Sequence, residues 1–431
     1  MKQQILKAQK IFKSIIESKK YKWYQRGVIA ISGVVAGFFI IDSVPYYTAI
    51  GEGKHAFEAG NYKAAEKSFQ DAIDASKKYG DADTRYLSAL NNMAELERVT
   101  AKYSKSESHY LELTQLAEKN LKKDRMEIPL SLNGLALTYR DQSKYEEAED
   151  SYVKALKIWD TNIKKPEDPR RASILNGLAK VYRDTGRLAK ADECYKEALA
   201  IKEKALGTND VANSSILVNM GTVYRDTGRY AEAERCYKRA LAMDMSALGP
   251  DHPDTATDIN DLAGLYRITG RLKEAEPLFN QSLKIRQSKL GKNHPLVAKS
   301  LTGLGAIRLK QDKPMEAEKY LKDALAVQNA SLPHNHKDIA DTDEYLSKVY
   351  AQEKRYSEAI AALDDCLKIR ESILGESHPD TGIAYLELAK LNRLIGENAV
   401  AAQQLEKSRT ILAKSLGPKH PLSVEAVSLK I

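Results

Sequence analysis

Asparagine recurs along this chain at Asn91, Asn133, Asn176 and Asn260, and one residue later in the pattern at Asn92 and Asn219. Arginine recurs beside it, at Arg98, Arg140, Arg183, Arg225, Arg267 and Arg393. On a helix, Asn176 and Arg183 are seven residues apart and share one face, two turns from each other. Asn176 then lies roughly 120° around the helix from Tyr182. A carboxamide can both donate to and accept from the backbone of an extended peptide, and a guanidinium pairs with carboxylates in a planar fork. Asparagine is also a poor choice inside a helix, so its recurrence needs a reason. The candidate partner-binding set is therefore Asn91, Asn133, Asn176, Asn219, Asn260, Arg140, Arg183, Arg225 and Arg267. For the arginines a plainer role stays open. Each sits near a helix C-terminus, where a cation suits the helix dipole, and a neighbour such as Asp184 can pair with it.

Other chemistry is thinly represented. There is no Gly-rich phosphate loop, no G-x-S-x-G, no H-E-x-x-H and no CxxC pair, so neither a catalytic residue nor a cofactor is expected. His252, His294, His378 and His420 stand about one repeat apart. Stacked units lie about 10 Å from one another, whereas metal ligands must all lie about 2 Å from one ion. These histidines are read as loop residues near helix ends, and no metal is expected. Acidic runs such as EEAED (146–150) start helices, where carboxylates suit the dipole. Cys194 and Cys236 hold one repeat position and Cys366 another, which suits buried thiols better than disulfides.

The elements that carry these residues repeat. VYRDTGR occurs at 181–187 and again at 223–229. LNGLAKVYRDTGRLAKADECYKEALAI (175–201) aligns with LVNMGTVYRDTGRYAEAERCYKRALAM (217–243) and INDLAGLYRITGRLKEAEPLFNQSLKI (259–285), and LNGLALTYRDQSKYEEAEDSYVKALKI (132–158) lies upstream. One small position marks nine copies: Ala65, Ser106, Ala148, Ala191, Ala233, Ala275, Ala317, Ala359 and Ala401. Within a copy, Leu178, Ala179 and Tyr182 form one apolar stripe, and Ala191, Tyr195 and Ala198 form a second after Gly186. This predicts two helices joined by a tight turn. Alanines fall where the helices must approach, and tyrosines fill the space beside them. One such pair cannot bury its faces alone, but a stack can.

Leu-Ala-x-x-Tyr, a glycine four residues on, then Ala-x-x-x-Tyr-x-x-Ala resembles the tetratricopeptide repeat. The usual unit is 34 residues, and here the copies are 41 to 43 apart. The added connection reads LGPDHPDT (248–255), LGKNHPLV (290–297), LGESHPDT (374–381) and LGPKHPLS (416–423). That combination is similar to the kinesin-light-chain type of repeat over roughly 50–431. The resemblance implies a right-handed superhelical array whose first helices line the concave face. It says little about partners. No long heptad segment precedes the repeats, so the motor-binding part of that family has no counterpart here. In LGxxHP the glycine ends one helix and the proline begins the next, where its missing N–H costs little. Pro277 instead falls inside a second helix and should bend or loosen it.

Charge is concentrated at one end. The chain carries 67 Lys and Arg against 59 Asp and Glu. Residues 1–50 hold eight of the former against Glu17 and Asp42, leaving 59 against 57 in the repeats. That balance gives no nucleic-acid footprint. Ile5, Phe12, Ile15 and Ile16 fall near one face of a basic helix, which suits an anionic membrane surface. GVIAISGVVAGFFII (27–41) is uncharged, and Trp23, Tyr24, Tyr46 and Tyr47 flank it as interfacial aromatics would. A signal peptide competes, but IDSVPYY offers no good small-x-small cleavage site.

The sequence thus predicts an all-α right-handed superhelical solenoid of about nine antiparallel helix pairs, preceded by one N-terminal transmembrane helix. Residues 1–26 would be a basic amphipathic cytoplasmic segment, 27–47 the anchor and 48–431 the repeats. By the positive-inside rule this is a single-pass membrane protein with its N-terminus cytoplasmic and its repeats extracytoplasmic. The expected function is a membrane-anchored, non-catalytic protein-interaction scaffold that holds an extended peptide, with an acidic motif, in its groove. The alternative is a secreted or structural array assembling through its convex face or its ends.

Overall fold

The computed structural model describes residues 32–430 apart from 82, 121, 123, 124 and 419, with side chains from Ser43 onward. Among the described residues there are 19 α-helices and no strand. Two compact units divide them, meeting between Pro166 and Glu167. The first holds α1 (Ser32–Glu58), α2 (Tyr62–Lys77), α3 (Thr84–Val99), α4 (Tyr103–Asn120), α5 (Glu127–Asp141) and α6 (Tyr145–Ile158), then a π-turn at Trp159–Ile163. The second holds α7 (Pro169–Asp184), α8 (Leu188–Leu206), α9 (Ser214–Asp226), α10 (Tyr230–Ala247), α11 (Pro253–Ile268) and α12 (Leu272–Leu290). It continues through α13 (Pro295–Lys310), α14 (Pro314–Ser331), α15 (Lys337–Gln352), α16 (Tyr356–Leu374), α17 (Pro379–Leu394), α18 (Asn398–Ser415) and the short α19 (Pro421–Ser428).

The heptapeptide explains how one unit is built and how it joins the next. Tyr182 is buried, as are Ala179 and Ala191, and the Tyr195 ring is fully enclosed. Gly186 takes φ +75°, and the Arg187 N–H then donates to the Tyr182 carbonyl, which closes α7 and aims the chain back as α8. The second arginine has a job the sequence alone did not reveal. Arg229 stacks 4.1 Å over the Tyr224 ring and reaches Asp192 of the preceding unit at 3.0 Å. Arg271 does the same with Tyr266, at 3.8 Å, and Glu234, at 2.7 Å. In a later unit Arg355 repeats it with Tyr350 and Glu318. One side chain thus joins a core tyrosine, the turn and the neighbouring unit.

The histidines of the connections are helix N-caps. His252, His294, His378 and His420 accept through Nδ1 from the N–H two residues on, at 3.1–3.3 Å, and His336 does likewise. Proline follows as the first helical residue at Pro253, Pro295, Pro379 and Pro421. At Pro277, α12 runs on from Leu272 to Leu290 without a break.

The membrane-spanning helix expected over 27–47 is corrected, and with it the single-pass localisation. No helix among the described residues is long and apolar enough to cross a membrane. Helix α1 carries Asp42 and runs on through the polar stretch GEGKHAFE. Tyr46, Ala49 and Ile50 are buried in a core shared with Phe69 of α2 and Leu90 of α3. Tyr46 also meets Tyr47 edge-on at 5.0 Å. An apolar segment that ends in tyrosines looks the same whether its far end faces lipid headgroups or a neighbouring helix. Here Tyr46 begins the first repeat core, while Tyr47 stays exposed. The basic segment 1–26 lies outside the described residues, as do 27–31.

Candidate functional site

In the second unit, the first helices of successive pairs (α7, α9, α11, α13 and α15) also touch one another. Their facing positions wall a groove of about 560 Å³ along α9, α11, α13 and α15. Three of the expected residues line it: Arg225, Asn260 and Arg267. Three more form a chain of bonds beside them. The Arg183 guanidinium donates to Asn219 Oδ1 at 3.4 Å, and Asn219 Nδ2 donates to Asn176 Oδ1 at 3.2 Å. The remaining three belong to the first unit. Asn91 is exposed on α3, Asn133 is half-buried on α5, and Arg140 pairs with Asp141 at 2.8 Å.

The arginines are not equivalent. Arg183 pairs with Asp184 at 2.8 Å and Arg225 with Asp226 at 2.7 Å, each the next residue in the chain. Burial works against both charges, yet the neighbouring Asp and a buried tyrosine ring hold their pKa values above the ordinary one. These two are half-buried and already neutralised. Arg267 is followed by Ile268 instead, and no carboxylate stands within ion-pairing distance of it among the described residues. Its guanidinium carbon lies 5.4 Å from the centre of the Tyr345 ring, which belongs to α15.

Asn260 is oriented from beneath. Arg286, only 1 % exposed, donates to Asn260 Oδ1 at 3.1 Å, and Ser300 Oγ donates to the same oxygen at 3.2 Å. With its oxygen engaged, the amide presents its NH2 half as the free donor. Arg286 also donates to the Leu296 carbonyl, ten residues on, at 2.8 Å. Lys202, Gln328 and Arg370 make the same ten-residue reach, to Ala212, Asp338 and Asp380. Burial pushes Arg286 down to about 10. The matching place in α10 is Asp244, buried beside Asp258, and burial together with Asp244 pushes Asp258 up to about 9.

Sequence reasoning missed Asp261, Lys299, Tyr345 and Arg286. The 42-residue period held a signal for two of them. Asp261 stands where Asn219 stands one copy earlier, and Tyr345 stands where Gly303 does. Burial raises the Asp261 pKa against the pull of Arg225 and Lys299.

A family model for the tetratricopeptide repeat matches residues 127–204, 213–288, 257–330 and 338–425. The chain belongs to the tetratricopeptide repeat family. Such repeats are generally interaction scaffolds and not catalysts, so the coarse role is protein–protein contact. No curated protein matches the sequence. Among solved structures, a Rap protein complexed with Competence and Sporulation Factor is 15% identical, with 86% of this chain and 98% of that one covered and a TM-score of 0.58. The apo quorum sensor NprR from B. thuringiensis is 13% identical over 86% of this chain and 99% of its own, with a TM-score of 0.57. BtubC from P. vanneervenii is 21% identical over 54% of this chain and 92% of its own, with a TM-score of 0.42. The first two likenesses extend to the fold.

Proposed function

We propose that this tetratricopeptide repeat protein is a scaffold that holds an extended peptide segment of a protein partner in the groove along α9, α11, α13 and α15. The observation that carries the reading is Asn260. Its oxygen is fixed by Arg286 and Ser300, which leaves its NH2 as an oriented donor on a groove wall. A donor of that kind suits peptide carbonyls, which every sequence presents. Gly264 supports it. A Cβ there would meet nothing within 4 Å, so no packing contact demands glycine in mid-helix. A glycine there costs roughly 0.5–1 kcal/mol relative to alanine, and it leaves the helix backbone open to close approach. A Rap protein of similar fold is complexed with Competence and Sporulation Factor.

The test uses peptides recovered from a random library on the full chain. Asn260→Ala should weaken peptides of unrelated sequence alike, because the contact is to main chain. Asn91→Ala, in the first unit, should leave them unchanged. Undiminished binding to Asn260→Ala would refute the assignment.

A further inference from the structure

The repeat sequence departs from itself at one place in the groove. Where the two earlier copies of the second unit read Tyr-Arg-Asp, at 182–184 and 224–226, the third reads Tyr266-Arg267-Ile268. In those earlier copies the aspartate pairs with the arginine beside it, at 2.8 and 2.7 Å. In the third the arginine is left with an aromatic ring and, among the described residues, no carboxylate. Its Nε is buried and has no hydrogen-bond partner among them.

A second cation is placed against it. Lys310, at the end of α13, donates from Nζ to the Arg267 carbonyl at 3.1 Å. By the 42-residue period Lys310 holds the position that Asp226 and Ile268 hold in their copies, so a carboxylate has given way to an ammonium group. Burial lowers the Lys310 pKa, and the charge on Arg267 lowers it further. Like charges held close, Arg267 half-buried and Lys310 exposed, oppose one another until an anion joins them. Tyr345 reaches Arg267 across α13, whose groove positions Thr302, Gly303 and Ala306 are small.

The geometry points to Arg267 and Lys310, backed by Tyr345, as an anion subsite of the groove that takes the carboxylate of an acidic side chain in the bound peptide. This rests on the groove reading above and narrows it. The neutralised Arg183 and Arg225 then contribute shape and hydrogen bonding, and the selectivity for charge sits at the third copy.

The repeat supplies its own test, because Ile268→Asp restores what the neighbouring copies carry. Ile268 is 38% exposed, so an aspartate there displaces no core contact. A phage-displayed random dodecapeptide library is selected in parallel on the full chain, on Ile268→Asp and on Arg267→Gln, with circular dichroism as the check on folding. Synthetic copies of the recovered peptides are then titrated by fluorescence anisotropy. Peptides from the wild-type chain should share one Asp or Glu at a fixed place. Changing it to the amide should weaken binding about tenfold, as losing a charge-assisted pair does. Both variants should bind the acid and amide forms equally. Peptides that compete for the groove without a fixed acidic residue would overturn the subsite and leave the groove reading standing. Discrimination that survives in either variant would do the same. Recovery of no groove-binding peptide would overturn both.

Discussion

Two helix-interior glycines in successive copies should respond in opposite directions to the same substitution. Gly264 in α11 lines the groove, and a Cβ built there meets nothing within 4 Å. Gly264→Ala therefore gains only the intrinsic helix preference and should stabilise the chain by about 0.5–1 kcal/mol. Gly303 in α13 faces Phe279 of α12, and a Cβ there would lie 2.3 Å from one ring carbon and 2.5 Å from the next. Phe279 is 2% exposed, so the ring has nowhere to swing. Overpacking of this kind costs about 1–3 kcal/mol, which outweighs the helix gain and leaves Gly303→Ala destabilised by roughly 1–2 kcal/mol. In a repeat stack the loss should stay near its source. Urea unfolding should be paired with hydrogen exchange, and amides of α12 and α13 should lose protection before those of α17. If Gly264→Ala destabilises, or Gly303→Ala does not, the placement of α11 and α13 against their neighbours is wrong. Gly264→Ala should also weaken peptide binding while raising stability, a combination a purely structural glycine would not give.

Stability should fall as pH rises across neutrality. Asp258 keeps its proton to about 9 in the folded chain, and an unfolded aspartate keeps it to about 4. Within that window the folded state binds more protons, so the contribution is full at its acid end and lost through its alkaline end. Asp343, pushed up to about 7 by burial and then by Asp365, acts in the same sense over a narrower range. Thermal melts against pH should show the decline, and Asp258→Asn should flatten it. Tyr152→Phe in the first unit should be neutral or stabilising by about 1 kcal/mol in urea titration, because the Tyr152 hydroxyl is buried without a hydrogen-bond partner among the described residues. Burial pushes the thiols of Cys194 and Cys236 up to about 11 and that of Cys366 to about 12. An aromatic disulfide reagent should therefore reach the buried Cys366 only as the chain unfolds, and react with the half-buried Cys194 and Cys236 more slowly than with a free thiol.

The architecture was legible because it is periodic. Small residues at Ala179 and Ala191 and the left-handed turn at Gly186 follow from local rules that nine copies repeat, and Tyr182 and Tyr195 recur in several of them. The groove was half legible. Helical spacing placed Asn260 and Arg267 on one face, and both line the groove. What it could not show is which side chains spend their polar atoms on neighbours. Asn219 is engaged by Arg183 and Asn176, and the pair partners of Arg183 and Arg225 decide how much charge is left. The Asn219 bonds join copies 36 and 43 residues apart, beyond any local window, whereas Asp184 and Asp226 are chain neighbours whose pairing the sequence left open. The membrane expectation failed for a related reason. Composition alone does not tell which neighbour a tyrosine after 27–41 meets, and only the burial of Tyr46 against α2 and α3 shows that it belongs to a repeat.

Hydrogen–deuterium exchange on the full chain, with and without a library-selected peptide, tests the groove reading most directly. Binding should slow exchange in α9, α11, α13 and α15, with the largest change around Asn260 to Arg267, and leave α10, α12 and α14 nearly as they were. Protection confined to those second helices, or to the first unit, would contradict the account.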